Sequence, residues 1–249
     1  MKVVIVGLGS NLGSRAALLL SAIDLLAATP EVQRGPLSPA YVTEALEGIG
    51  PPYLNAAVRL ETELQPRGLL ERALEVERSL GRVRGGHFSP RTLDLDLLWA
   101  GEPVRDPPHL VVPHPGLPER TFALAPLLDV APELEGRYGS RLRELGGRPA
   151  ESRPLDEGHP PDDWDRMAFE LGRSARAEGG PGQGPPPVAT DHFVVPPPGL
   201  PAGYDEVERR VRALARSRWH VRRVALGPAR DGGTSVYLIG APRAPDQPE

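Results

Sequence analysis

The sequence predicts an α+β fold with its elements in the order βαββαβ, and three observations carry that prediction. Apolar residues recur at 3.6-residue spacing in two segments, 14–28 and 66–80. Four other segments have strand character: 2–8, 37–46, 53–64 and 91–99. Their order along the chain is strand, helix, strand, strand, helix, strand, so the strands fall mainly into an antiparallel sheet with helices packed on it.

KVVIVGL, 2–8, reads as a buried strand, and SRAALLLSAIDLLAA, 14–28, as a helix. The extended run near 37–46 is broken by GIGPP at 48–52. YLNAAVRLETEL, 53–64, alternates as a strand should, and Pro66 opens a helix through Leu80 at its favoured first-turn position. RTLDLDLLW, 91–99, completes a ferredoxin-like βαββαβ series. A further helix is expected at 118–129.

After residue 158 the composition changes. The sequence divides into a main domain at 1–158, a helix and Pro/Gly-rich linker at 159–203, and a small C-terminal α/β module at 204–249. Trp164, Met167, Ala168 and Leu171 fall on one face of a helix at 162–177. Residues 178–203 are too rich in Pro and Gly for a continuous element and read as linker. The module reads as a helix followed by a hairpin, HVRRVAL and TSVYLIG around GPARDGG, with Trp219 packing on Val207, Val211 and Leu214. A unit this short buries little surface, so it is expected to dock on the main domain, another copy or a protein partner. Residues 1–158 are expected to fold and react alone.

The composition bounds the function. The 249 residues are 39% hydrophobic, enough for a real core, and no apolar run approaches the roughly 20 residues of a membrane span. With no cysteine there is no disulfide and no thiolate metal site; together with the absence of a leader pattern this points to the cytoplasm. A net charge of -4 argues against nucleic-acid binding by the whole chain. The run RRVRALARSRWHVRR, 209–223, is basic with one aromatic, and a solvated Arg-rich surface accounts for it better than RNA contact.

The chemistry concentrates at 77–99. On a strand, Asp94 and Asp96 share one face while Leu93, Leu95 and Leu97 fill the other. Two neighbouring carboxylates repel, so a cation is expected between them, and Mg²⁺ binds in this way through one or two carboxylates plus substrate phosphates. An edge strand with solvated aspartates is the plainer alternative. GRVRGGHFSPR, 81–91, places Arg82, Arg84, His87 and Arg91 on a Gly-rich loop leading into that strand, and guanidiniums grip phosphate oxygens with paired hydrogen bonds. Carboxylates for metal beside guanidiniums for phosphate make a phosphoryl-transfer arrangement. Glu77 falls inside the apolar stripe of its helix and needs a partner, either a ligand or Arg82 or Arg84. GLGSNLG, 7–13, departs from the dinucleotide fingerprint at Leu12 and is read as a tight turn, with Ser10, Asn11 or Ser14 helping to cap the first helix.

Taken together, GLGSNLG, PPYLNAAVRLET (51–62), Glu77 with GRVR, SPRTLDLDLLW (89–99) and VPHPGLPERTFALAPLLDVAPEL (112–134) strongly resemble the 6-hydroxymethyl-7,8-dihydropterin pyrophosphokinase family over residues 1–155. The resemblance implies a folate-biosynthesis enzyme that moves the β,γ-pyrophosphoryl group of ATP to the pterin hydroxymethyl group and releases AMP. It implies that Asp94 and Asp96 hold two Mg²⁺ ions, with Arg82 and Arg91 completing the catalytic group. Leu70, Glu77, Arg84, Leu97, His114 and Arg120 are implied for ATP, and Thr43, Leu46, Tyr53, Asn55, Phe88 and Phe122 for the pterin. Phe88 stands where many relatives carry Trp. A protein that binds nucleotide or pterin without turnover is the competing reading; Asp94, Asp96, Arg82, Arg91 and His114 together favour the enzyme.

Overall fold

The computed structural model describes residues 1–45, 50–82, 90–106, 110–155, 162–179 and 189–243. The chain forms two compact units. One comprises Met1–Asn11 and the chain from Thr29 through 155; the other comprises Leu12–Ala28 and the chain from 162 onward.

The first unit is built on a six-stranded antiparallel sheet. Its strands are β1 (Lys2–Ser10), β2 (Val32–Leu37), β3 (Ala40–Thr43), β4 (Tyr53–Thr62), β5 (Asp94–Trp99) and the short β8 (Ser152–Arg153). They run in the order β5–β1–β4–β3–β8, with β2 also paired to β4. A small hairpin, β6 (Val104–Asp106) and β7 (Leu110–Val112), follows β5. Helix α2 (Pro66–Ser79) begins with Pro66 in its first turn, as the sequence predicts, and buries Leu69, Ala73 and Val76. Helix α3 (Thr121–Val130) and helix α4 (Glu135–Glu144) form a core with Ile5, Tyr41, Ala57 and Leu98 of the sheet. Helix α4, β8 and the β6–β7 hairpin are absent from the sequence reading, being short or weakly patterned.

The second unit joins segments far apart in sequence. Helix α1 (Arg15–Ala27) belongs to it, with helix α5 (Asp163–Gly179), strand β9 (Ala189–Val195), helix α6 (Tyr204–Ser217) and the hairpin β10 (Trp219–Pro228) and β11 (Thr234–Pro242). The sheet order is β10–β11–β9, antiparallel throughout. One apolar cluster joins Leu171 and Ala175 of α5, Val207 and Val211 of α6, and Trp219, Leu226, Val236 and Leu238 of the hairpin. Trp219 packs where the helix spacing places it. The stretch read as linker contains a strand, because ATDHFVV between the proline clusters is long enough to pair with β11 residue for residue. The helix and hairpin are thus completed by a third strand and two more helices, which answers the shortage of core in 204–249.

Helix α1 is fastened to this unit at both ends. The N–H of Ser14 donates to Leu226 O at 2.8 Å; its hydroxyl donates to the same oxygen at 3.0 Å and accepts the Leu226 N–H at 2.7 Å, closing part of the β10 edge. Gly13 sits at φ 72°, where a Cβ would collide with Leu226 O. Ser14 occupies the N-cap position without capping the helix through its side chain, because its hydroxyl is spent on β10. Asp165 of α5 substitutes: its Oδ1 accepts the Ala16 N–H at 3.0 Å, and Arg15 pairs with Asp162 at 3.1 Å. At the other end Asp24 pairs with Arg223 of β10.

Asp165 is only 2% exposed. Burial pushes its carboxyl up to about 7, Asp162 adds to the rise, and the Ala17 N–H, Arg15 and the Ala16 N–H oppose it. The folded chain therefore holds this proton over a range where the unfolded chain has lost it. Its contribution to stability is full below the ordinary aspartate pKa of roughly 3.9 and is lost as pH rises through about 7. Asp165→Asn, which keeps an acceptor for Ala16, is expected to gain thermal midpoint over the parent as pH rises from about 5 to about 8. A difference that stays constant across that range would show that Asp165 does not titrate in the folded chain.

Candidate active site

Strand parity collects the polar groups on one face of the first unit's sheet. Cross-strand partners project to the same side, as do residues two apart on one strand. In the register of β1 with its neighbours, Gly9 lies between Asp94 and Asn55, and Gly7 lies between Asp96 and Ala57. Tyr53, two residues from Asn55, pairs with Thr43. Leu93, Leu95 and Leu97 are buried, as alternation on β5 requires.

The two glycines keep the space in front of the aspartates open. A Cβ on Gly9 would stand 3.1 Å from Asn55 Oδ1 and 3.7 Å from Asp94 Cβ; one on Gly7 would press to 3.0 Å from Leu98 Cδ1. Over this face lies a cleft of about 290 Å³. Asp94 and Asp96 line it together with Arg82, Arg91, His114 and Arg120, and with Thr43, Tyr53, Asn55 and Phe122.

The two carboxylates are in unlike states. Asp94 is gripped through both oxygens, by Arg82 at 2.7 Å and by Arg91 at 3.1 Å. Asp96 makes no ion pair among the described residues. Burial, and then the Asp94 charge, push its carboxyl above the usual aspartate range, against the pull of His114, Arg120 and Arg82. Among the described residues no three His, Cys, Asp or Glu side chains cluster.

Arg82 is set from behind. Glu77, 3% exposed on the buried side of α2, accepts the Leu95 N–H of β5 at 2.8 Å and forms an ion pair with Arg82. Its partner is thus Arg82, the first of the two arginines the sequence offered. Burial pushes the Glu77 carboxyl up to about 7, with Arg82 and the Leu95 N–H opposing the rise.

The 3₁₀ turn Leu117–Glu119 and the start of α3 bring in the rest. The Gly116 N–H donates to His114 Nδ1 at 3.1 Å, which leaves the proton of a neutral imidazole on Nε2, a donor for a ligand. Gly116 packs under Arg120, where a Cβ would come within 2.8 Å of its Nε, and the guanidinium lies 5.8 Å from the Phe122 ring centre. Asn55 Nδ2 donates to Thr43 Oγ1 at 2.8 Å, fixing which way the amide faces.

Ten of the residues named from sequence therefore meet in one cleft. Glu77 stands behind Arg82 and lines a separate hollow with Leu74 and Arg78. Leu70 is half-buried on α2 and Leu97 is buried; neither lines the cleft or the hollow. Leu46, Arg84 and Phe88 lie outside the described residues. The sequence reading missed Gly7, Gly9 and Gly116. The signal was available for the first two: glycine inside an apolar strand marks a close approach, and these two share the parity that faces the aspartates.

A family model for 7,8-dihydro-6-hydroxymethylpterin-pyrophosphokinase matches residues 5–132. Among proteins named 2-amino-4-hydroxy-6-hydroxymethyldihydropteridine pyrophosphokinase, that of Methylorubrum extorquens is 45% identical over 130 residues, 51% of this chain and 82% of the relative. That of Pseudomonas aeruginosa is 40% identical over 143 residues, 57% of this chain and 88% of the relative. That of Bacillus subtilis is 37% identical over 131 residues, 52% of this chain and 78% of the relative.

The unequal states of the aspartates have opposite consequences for stability in metal-free buffer. Asp96→Asn removes a charge that burial and Asp94 oppose, and is expected to raise the thermal midpoint by a few degrees. Asp94→Asn removes the charge and one of the two oxygens that pair with Arg82 and Arg91 and is expected to lower it. Thermal scans of both variants beside the parent check this, and shifts of the same sign would overturn the assignment.

Proposed function

The chain belongs to the 7,8-dihydro-6-hydroxymethylpterin-pyrophosphokinase family, and from that premise we propose how its own residues carry the reaction. The protein transfers pyrophosphate from ATP to the hydroxymethyl group of 6-hydroxymethyl-7,8-dihydropterin in folate biosynthesis. AMP and the pterin diphosphate are the products. The observation that carries the site assignment is the pair Asp94 and Asp96 on one strand face, lining one cleft together with Arg82, Arg91, His114 and Arg120 and with Tyr53, Asn55 and Phe122. The strand order β5–β1–β4–β3 supports the ferredoxin-like strand arrangement for this unit's sheet.

The residues present fit Mg²⁺. Both carboxylates offer hard oxygens toward the same space, and the charge repulsion that raises Asp96 is what a dication relieves. Asp94 and Asp96 would hold it, phosphate oxygens and water completing its shell. Bound there, the metal supplies charge neutralisation that lets an oxygen nucleophile approach a polyphosphate.

The remaining work falls to side chains. Arg82, Arg91, Arg120 and the Nε2–H of His114 bind the triphosphate as charge develops on the leaving oxygen. Arg82 does so from a position held by Glu77, whose second partner is the backbone of the aspartate strand. Tyr53 and Phe122 take the faces of the flat pterin, and Asn55, oriented by Thr43, reads an edge. Asp94, held between Arg82 and Arg91, is the proposed acceptor of the hydroxyl proton. Leu46 and Phe88 for the pterin, and Leu70, Arg84 and Leu97 for ATP, complete the proposed set. No helix among the described residues is long and apolar enough to cross a membrane, which accords with a cytoplasmic setting.

The test is product analysis with full-length protein, Mg-ATP and the pterin. AMP formation is expected to require the pterin and to fall by about a hundred- to a thousandfold in Asp96→Ala, the scale of losing a principal electrostatic contact. Pterin-dependent AMP at the parental rate in that variant would remove the aspartates from the mechanism.

A further inference from the structure

Asn11 contributes nothing to the lining of the cleft and is 2% exposed, yet it makes three hydrogen bonds to two segments that do line it. Its backbone N–H donates to Arg91 O at 3.2 Å. Its side-chain Oδ1 accepts the Arg91 N–H at 2.8 Å, and its Nδ2 donates to Pro51 O at 3.1 Å. The first two bonds pin the backbone of the residue whose guanidinium reaches Asp94. The third pins a carbonyl two residues before Tyr53.

The surrounding packing shows the same tight junction. Gly50 sits at φ 96°, and a Cβ there would come within 2.8 Å of Pro90 Cγ and 3.3 Å of Asn11 Nδ2. The segment entering β4 and the segment entering β5 therefore meet at Asn11, with glycine required on one side. A short side chain carrying both an acceptor and a donor is needed to bridge them. Asparagine supplies this, aspartate keeps only the acceptor, and alanine keeps neither.

We propose that Asn11 is a positioning residue that ties the segment carrying phosphate-binding Arg91 to the segment, Pro51 to Tyr53, that carries a pterin-binding side chain. The proposal rests on the pyrophosphokinase reading for the identity of the two ligands. It assigns GLGSNLG a task other than helix capping: the asparagine binds together the segments that enter β4 and β5.

The test compares full-length parent, Asn11→Asp, Asn11→Ala and Gly50→Ala by steady-state kinetics. Calorimetric titration of the pterin and of a non-hydrolysable Mg-ATP analogue on the same proteins accompanies it. Asn11→Asp loses the bond to Pro51 and keeps those to Arg91. It is expected to raise the pterin KM and Kd on the order of tenfold while the nucleotide values move less than about twofold. Asn11→Ala is expected to weaken both ligands and lower kcat. Gly50→Ala, which wedges Pro90 from Asn11, is expected to resemble Asn11→Ala in weakening both. A residue that only stabilised the fold would lower the thermal midpoint and the active fraction and leave every KM and Kd in place; that result overturns the proposal, as does an Asn11→Asp variant that shifts both ligands equally. If Asn11→Ala fails to fold, the other two variants decide. If the parent binds both ligands but makes no AMP, the functional reading fails while the affinity split still tests Asn11.

Discussion

The register between β1 and β5 is the constraint on which the site depends. It sets Gly9 opposite Asp94 and Gly7 opposite Asp96, and a slip of one residue would turn both carboxylates into the apolar layer and three leucines into the cleft. The leucines that alternate with the aspartates therefore hold the carboxylates in place, since burying Leu93, Leu95 and Leu97 permits only one facing. Carboxylates and core leucines alternate along the single run from Leu93 through Leu97.

The cost of that placement is distributed unevenly. Asp94 is offset by two arginines, and Arg82 is in turn anchored to α2 through Glu77, so helix, loop and strand converge on one carboxylate. Asp96 keeps its burden, with its carboxyl raised by burial and by its neighbour. On the proposed reading, the strain left at Asp96 is what a cation bound beside it would relieve.

Much of this was legible in the sequence because strand alternation and helix periodicity are local. RTLDLDLLW fixes which side chains share a face, and the stripe on 66–80 exposes Glu77 as a carboxylate in need of a partner. Ten of the named residues meet in the cleft on that basis and on the family pattern. What was hidden depends on contacts distant in sequence. The role of Gly7 and Gly9 emerges only when β1 lies beside β5, and that of Gly116 only when Arg120 folds back over it. Asn11 and Ser14 look alike as helix-capping candidates, yet one bonds to residues 51 and 91 and the other to residue 226. Strand β9 was obscured for a different reason: the prolines and glycines around it set the composition of a window wider than the strand itself.

The membership of α1 in the second unit bears on how the chain is made. Its residues are synthesised between two strands of the first unit's sheet, but Asp162, Asp165, Arg223 and Leu226, which satisfy its termini, are translated more than a hundred residues later. Helix α1 thus waits for partners not yet polymerised, with its first N–H groups without their carboxylate. Long-range closure of this kind slows folding and lengthens exposure to aggregation. The first unit has its strands β1 to β5 by residue 99 and the helices of its core by residue 144, ahead of every segment that meets the ends of α1.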